Sequence, residues 1–296
     1  MIDFRTPTLE DKDWIIAKIE QTGSPSCEYT FGNIFAYTAK MEIKVAEIFS
    51  CLVTRCIYDG QLMYCYPMGN GDKKAAVEAI IEDAADLGKD FRFFGITKEF
   101  ADELEENFPD VFRIVFDRDG SDYIYSREDL VILKGKRYQP KRNHISYFTK
   151  NFNWSYERIS RENIADCLRM NERWVDESLD ERKEDLLEEL EIIRKVFDNY
   201  EALDFVGGLI RIDGEVVAFT MGERMNDDTF CVHFEKAFSS YRGAYPMINR
   251  EFCSRELASY RFVDREDDLG VDNLRKAKLS YYPVLIKEEY EAELIK

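Results

Sequence analysis

Three β-rich runs in succession, followed by a glycine and a helix, constrain this chain more than any other stretch. An apolar run at 204–212 meets Asp213 and Gly214, a second run follows at 215–224, and a polar turn at 225–228 leads into a third at 229–237. Asp-Gly tolerates positive φ, so β-rich runs joined by it read as a hairpin. The chain then passes Arg242, Gly243 and Ala244, opens a helix expected over 245–257, and reaches a short strand expected at 261–264. A glycine at a strand-to-helix junction lets the backbone approach a ligand, and a helix N-terminus favours an anion there.

The same order of elements occurs earlier in the chain. Thr8 can cap a helix over 9–21, alternating runs at 43–49, 52–57 and 61–66 read as strands, and Gly69, Asn70 and Gly71 open a helix over 73–87. A strand at 91–95, a helix at 98–108 and a strand at 111–116 follow, and an Asp119-Gly120 turn leads to a short run at 123–125. From Trp154 onward come a strand at 155–159, helices at 160–175 and 181–199, and then the three strands, helix, strand, helix and closing strand of the second half. The expected fold class is therefore mixed α/β, as two copies of one unit. The expected domains are 1–130 and 131–296, the second beginning with a basic connecting helix over 130–152 that kinks or begins at Pro140.

Composition sets outer limits. A net charge of −18 argues against broad binding to nucleic acid or anionic membrane, though it leaves room for a local basic groove. Five basic and no acidic residues fall between Lys134 and His144, and Tyr138 there is expected to offer a stacking surface. The stretch 171–191 is rich in acidic residues and reads as a solvated helix face. No apolar run is long enough for a transmembrane helix, and the first residues lack the features of a secretory signal, so the expected location is the cytoplasm. The seven cysteines form no Cys-x-x-Cys pair and are expected as reduced, packed thiols. With only His144 and His233 present, a multi-histidine metal site is excluded and no metal is expected.

Several polar residues stand out against this background. His233 and Glu235 are two apart on one strand and point to one face, and Glu223 closes the strand before. An imidazole or carboxylate so placed can deprotonate an attacking amine, or simply form a satisfied polar pair. Asn273, Arg275, Lys276 and Lys278 crowd one helix just before Tyr281 and Tyr282. Arg275 and Lys278 share a helical face and Lys276 does not, while the helix dipole offers the plain explanation for late cations.

Beyond these patterns, the chain resembles a known family. The residues that carry the resemblance are Arg242 to Ala244, Ile248 to Phe252, Arg265 to Gly270, Leu274 to Pro283 and, upstream, Lys141 to Phe148. The run is similar to the second half of an acyltransferase domain of the GNAT type. More closely it resembles the bacterial family that shares the C-terminal domain of phosphatidylglycerol lysyltransferases, and it does so over nearly the whole chain. The resemblance implies two GNAT-like domains in tandem and transfer of an acyl or aminoacyl group to an amine or hydroxyl by direct attack. The implied donor is a coenzyme A thioester or aminoacyl-tRNA, the latter held through the local basic groove. The implied acceptor is a small molecule, a lipid or a peptide.

Residue by residue, the resemblance implies donor contacts from Arg242, Gly243, Ala244, Asn249, Asn273, Arg275, Lys276 and Lys278. It implies Tyr281 or Tyr282 as the general acid, while the candidate catalytic roles of His233, Glu235 and Glu223 rest on the strand pattern above. The chain departs from the GNAT phosphate-loop pattern at Ser240 and Tyr245, and Arg242 is the cation that stands in. Gly69 to Gly71 is the corresponding loop of the first half, with Asp72 beside it. The other expectation consistent with the residues is a non-catalytic protein that binds a small ligand or partner on the same fold.

Overall fold

The computed structural model describes residues 2–23, 25–177 and 183–295. Its elements run in the expected alternation. The first half contains α1 (Lys12–Thr22), α2 (Phe31–Ala36), β1 (Lys44–Ile48), β2 (Cys51–Tyr58), β3 (Gln61–Tyr64), α3 (Lys73–Asp86), β4 (Phe91–Ile96), α4 (Lys98–Asn107) and β5 (Phe112–Ser126). Next come α5 (Arg127–Ile132), α6 (Gln139–Asn151), β6 (Trp154–Arg158), α7 (Ile164–Glu177) and α8 (Lys183–Asp198). The chain closes with β7 (Val206–Ile212), β8 (Glu215–Arg224), β9 (Thr229–Ala237), α9 (Ala244–Arg255), β10 (Phe262–Asp264), α10 (Asp272–Leu279) and β11 (Leu285–Leu294). The helix expected from 181 has its first two positions outside the described residues, as does part of the acidic stretch, 178–182.

The chain forms two compact units. The first comprises 1–123, 266–275 and 286–296; the second comprises 124–265 and 276–285. In the first unit the strand order is β1-β2-β3-β4-β11-β5. β1, β2 and β3 form an antiparallel meander, β4 lies parallel to β3, and β11 lies antiparallel to β4. In the second unit the end of β5 is followed by β10-β9-β8-β7-β6. Here β6 to β9 are antiparallel, β10 is parallel to β9, and Ile124–Ser126 of β5 pairs antiparallel with β10. Each unit thus repeats one plan: an antiparallel meander, a crossover helix, a parallel strand and a closing antiparallel strand. A parallel pair needs a crossover, and α3 and α9 supply it.

Three local expectations are corrected. The closing strand β11 was expected with 131–296, but it pairs with β4, so the first unit takes the chain's end. Asp119 and Gly120 make no turn: β5 runs unbroken from Phe112 to Ser126. The Asp117 carboxylate accepts from the amides of Asp119 and Gly120, at 3.0 and 3.1 Å, within that continuous strand. The connecting helix over 130–152 is two helices, since Leu133 and Gly135 adopt φ of 51° and 93° and end α5. Pro140 then lies in the first turn of α6, where its missing N–H costs nothing. All seven cysteines are buried as free thiols.

Candidate functional site

In the second unit, β9, β10, α9 and α6 bring together Glu235, Arg265, Asn249 and Lys141. Glu235 leaves β9 on the same face as His233, while Phe230, Val232 and Phe234 fill the core on the other. Its carboxylate accepts from Arg265 Nη2 at 2.8 Å and from Asn249 Nδ2 at 3.3 Å. The Arg265 and Glu235 side chains are only 12% and 11% exposed, so the pair is largely removed from water. Burial works against the guanidinium's charge, and Glu235 more than restores it, leaving Arg265 protonated throughout the accessible pH range. Two donor or acceptor atoms of this cluster, Arg265 Nη1 and Asn249 Oδ1, are buried without a hydrogen-bond partner. Such groups are costly to leave unmet and are the natural contacts for a ligand.

Aromatic rings frame the cluster. The Arg265 guanidinium lies 5.0 Å from the centre of the Tyr281 ring and 5.6 Å from that of Tyr125. Lys141 Nζ stands 3.7 Å from the Tyr281 ring centre. Among the described residues no carboxylate lies within ion-pair distance of this ammonium. Burial first, and the Arg265 charge second, bring Lys141 down to about 8. Tyr138 and Tyr125 hold the far wall by donating to the carbonyls of Tyr281, at 3.0 Å, and Lys278, at 2.8 Å. Lys278 donates to the Arg265 carbonyl at 2.6 Å, tying α10 to the end of β10.

His233 belongs to a separate constellation. Its Nε2 is 3.0 Å from Glu223 Oε1 across the β8–β9 ladder, and its Nδ1 is 3.7 Å from Cys231 Sγ. The ring lies nearly parallel to Phe205, with 5.5 Å between centres, and the side chain is 1% exposed. The geometry is that of a satisfied, packed histidine. Glu235 is the member of the predicted His233–Glu235–Glu223 set that faces the cluster around Lys141.

The two glycine loops prove to be shaped by packing. Gly243 has φ of 97°, and a Cβ there would sit 2.4 Å from the His144 carbonyl oxygen, so the close approach of α6 requires glycine. At the start of α9 the Ala244 amide donates to Tyr241, the Met247 amide to Gly243, and Pro246 has no N–H. Among 243–247 only the Gly243 and Tyr245 amides are left for an anion. Arg242 is exposed, with its guanidinium 4.7 Å from the Tyr147 ring centre. In the first loop, Gly69 donates to Thr22, Asn70 to Gln21, Asp72 to Phe49 and Ala75 to the Asp72 carboxylate. Those amides are already committed, although a cavity of about 650 Å³ lies beside them, lined in part by Lys73, Lys74 and Glu103.

Of the cations on α10, Lys278 alone turns toward the cluster. Arg275 belongs to the first unit, where Asp268 and Asp119 clamp it at 2.6 and 2.5 Å. Lys276 and Asn273 are exposed. Tyr282 is exposed beside Arg137, while Tyr281 is buried. In the basic stretch, Lys134, Lys136 and Arg137 face outward, and Tyr138 is fully buried, so it offers no stacking surface. Lys141 and Arg265 stand in the runs that carry the resemblance, yet the sequence reading assigned neither a role in the site. A signal for Lys141 existed: it shares one helical stripe with Ile145 and Phe148, both buried, and so had to point inward.

The comparisons with known proteins agree with this architecture. A solved protein of unknown function from Bacteroides thetaiotaomicron is 38% identical, with full coverage of both chains and a TM-score of 0.94. L-PGS from Bacillus licheniformis is 14% identical, covering 96% of this chain and 92% of that one, with a TM-score of 0.66. A tandem GNAT protein from the clavulanic acid biosynthesis pathway covers 99% of this chain and 98% of its own, at 9% identity and a TM-score of 0.50. An uncharacterized protein of Mycoplasmoides gallisepticum is 24% identical over 181 residues, or 59% of this chain, and the match spans 56% of that relative's length. The family profile described as "Phosphatidylglycerol lysyltransferase, C-terminal" matches residues 19–293. With that match spanning most of both units, this chain belongs to the family of the C-terminal domain of phosphatidylglycerol lysyltransferases.

Proposed function

We propose that the second unit transfers an aminoacyl group from aminoacyl-tRNA to an amine or hydroxyl on a lipid, peptide or small-molecule acceptor. The observation that carries this reading is Lys141: a half-buried amine brought down to about 8, poised over Tyr281 and beside the Glu235–Arg265–Asn249 cluster. A general base works best when its pKa lies near the working pH. In this reading the neutral Lys141 amine takes the proton from the attacking group as that group bonds to the ester carbonyl carbon. The bond from that carbon to the tRNA ribose oxygen then breaks, and the Lys141 ammonium returns the proton to the leaving oxygen.

Glu235 and the Asn249 amide oxygen accept from the α-ammonium of the aminoacyl group, and Arg265 Nη1 steadies the developing negative oxygen. Lys278 and Arg242 serve the donor's phosphates, and the outward basic residues Lys134, Lys136 and Arg137 extend the same surface toward tRNA. The reaction then takes place where charged tRNA is found, in the cytoplasm. Among the described residues no helix is long and apolar enough to cross a membrane.

Few free amides remain at the start of α9, which favours the aminoacyl ester over a coenzyme A thioester, whose pyrophosphate needs such a cradle. The decisive experiment offers the purified chain a panel of radiolabelled aminoacyl-tRNAs with phosphatidylglycerol vesicles and amine acceptors, and in parallel acetyl-coenzyme A. Transfer from a charged tRNA that is lost in Lys141→Met supports the reading. Transfer from acetyl-coenzyme A alone replaces the donor. Ligand binding with no turnover in either arm makes the protein a binding module on this fold.

A further inference from the structure

The first unit contains a second polar cluster, one that the transfer reaction does not use. Cys27 follows Ser26 at the entrance to a short 3₁₀ turn, Asp122 lies on β5, and Glu289 lies on β11. Asp122 and Glu289 are 0% and 2% exposed. The Cys27 amide donates to Asp122 Oδ2 at 3.1 Å, and the Cys27 thiol lies 3.4 Å from Asp122 Oδ1. Glu28 is half-buried and its Oε2 accepts from Ser26 Oγ at 2.6 Å. Gly95 makes room for Glu28, since a Cβ at that position would meet Glu28 Cγ at 3.1 Å. One ligand atom from each of Cys27, Glu28 and Asp122 lies within 4.8 Å of the other two.

An independent observation points into the same place. Glu289 Oε1 is buried and has no hydrogen-bond partner. The groups facing this carboxyl are Glu28, Asp122 and Ser26. Three carboxyl groups and a thiol gathered in a dry interior need either shared protons or a cation.

We propose that Cys27, Glu28, Asp122 and Glu289 bind a single divalent metal ion of the zinc class. A thiolate alongside carboxylate oxygens suits zinc or its substitutes cobalt and cadmium, whereas magnesium and calcium prefer oxygen alone. Supporting hydrogen bonds are in place around the ligands: Ser26 to Glu28, the Cys27 amide to Asp122, and the Glu289 amide to Ser121 Oγ at 3.3 Å. Because Glu289 lies on β11, the ion fastens the last strand of the chain to β5 and to the turn at Cys27. Cys27 and Glu28 are adjacent, but Asp122 and Glu289 lie far from them along the chain, which is why no metal-binding spacing is visible in the sequence.

The test uses the full chain, stripped with a chelator and titrated with cobalt(II) and with zinc. One equivalent of cobalt should produce the near-ultraviolet thiolate-to-cobalt charge-transfer band, zinc should abolish it, and zinc should raise the melting temperature. Cys27→Ser should lose the band. If that variant folds poorly, Glu289→Gln answers the same question, since it keeps the thiol and should weaken cobalt affinity by about tenfold or more, the loss already expected when a group that only supports a ligand is removed. No band at one equivalent, a band that survives Cys27→Ser, or unchanged affinity in Glu289→Gln each overturn the site. A Glu289→Gln protein that is more stable than the parent at neutral pH, with no metal bound by either, identifies the cluster as a proton-sharing carboxyl pair and also overturns it. None of these readouts depends on transfer activity.

Discussion

Lys141 Nζ and the Tyr281 ring meet at 3.7 Å, and Arg265 lies 5.0 Å from the centre of the same ring. Two cations therefore crowd one aromatic ring in a largely buried place. Arg265 has Glu235 as its counter-charge at 2.8 Å. Lys141 sits on the π-face and feels Glu235 only beyond ion-pair distance, which together offset less than its burial and the Arg265 charge take away. The consequence is an amine that gives up its proton near neutral pH, and two expectations follow from it.

The first concerns rate. With Lys141 at about 8, transfer should rise with pH up to about 8 and level off above it, because the neutral amine is the active form. Lys141→Met should lower turnover by roughly 10²–10⁴-fold and remove that step from the pH profile. A variant that keeps both its rate and its pH profile would show that the base lies elsewhere.

Stability should move in a definite direction with the same residue. A lysine depressed in the folded state binds fewer protons than it does unfolded between about 8 and its ordinary value of 10.5. Folding stability should therefore rise with pH across that window and carry a penalty below it. Lys141→Met should relieve the penalty and stabilise the protein at pH 7 by about 1–2 kcal/mol, after allowance for partial exposure. Denaturant unfolding of both proteins at pH 7 and pH 10 checks this, and a variant less stable at pH 7 contradicts it.

Removing Arg265 leaves Glu235 in place without its counter-charge. Arg265→Ala is expected to cost about 3–5 kcal/mol, the usual penalty for orphaning one partner of a buried pair. Glu235→Gln retains the shape and leaves an amide oxygen to accept from Arg265, so it should still fold, with a smaller loss of stability than Arg265→Ala, and lose transfer activity. Melting curves and initial rates separate the two effects; full activity in Glu235→Gln would exclude Glu235 from substrate binding.

Gly243 and Arg242 are neighbours with different duties. Gly243→Ala puts a Cβ against the His144 carbonyl at a φ of 97° and should destabilise the protein by about 1–3 kcal/mol. Arg242→Ala should leave the melting temperature nearly unchanged and weaken donor binding by about 1–3 kcal/mol if its guanidinium meets a donor phosphate. Equal donor affinity with and without Arg242 removes it from the binding surface.

Arg275 is expected to act on stability, not on transfer. Burial favours the neutral form of Asp268, but Arg275 and Tyr123 hold it down to about 2. A carboxylate lowered in the folded state contributes stability above about 4, and that contribution is lost as the pH falls toward 2. Arg275→Ala should therefore lower the melting temperature at pH 7 and flatten its fall between pH 4 and 2, with transfer rates kept. Loss of donor binding in a folded Arg275→Ala protein would return this residue to the site.

The amino-acid sequence by itself determined the succession of elements and the faces they bury. Asp213 and Gly214 adopt φ of 51° and 91°, as a tight hairpin between β7 and β8 demands, and alternation along β9 sets His233 and Glu235 on one side. Those are local properties, fixed by backbone sterics and by a repeat of two or about 3.6 residues. The tertiary structure alone decided which polar side chains meet. Nothing local separates Arg275 from Lys278, yet one is clamped by Asp268 and Asp119 while the other reaches the Arg265 carbonyl. Nor does local pattern show that β11 pairs with β4, or that an Asp-Gly pair in β5 continues a strand. Lys141 is the clearest case. Its helical stripe announces burial, but how far its proton affinity falls is set by the depth of that burial and by the Arg265 charge, against a partial offset from Glu235, and both residues are distant in sequence and are brought near it only by packing.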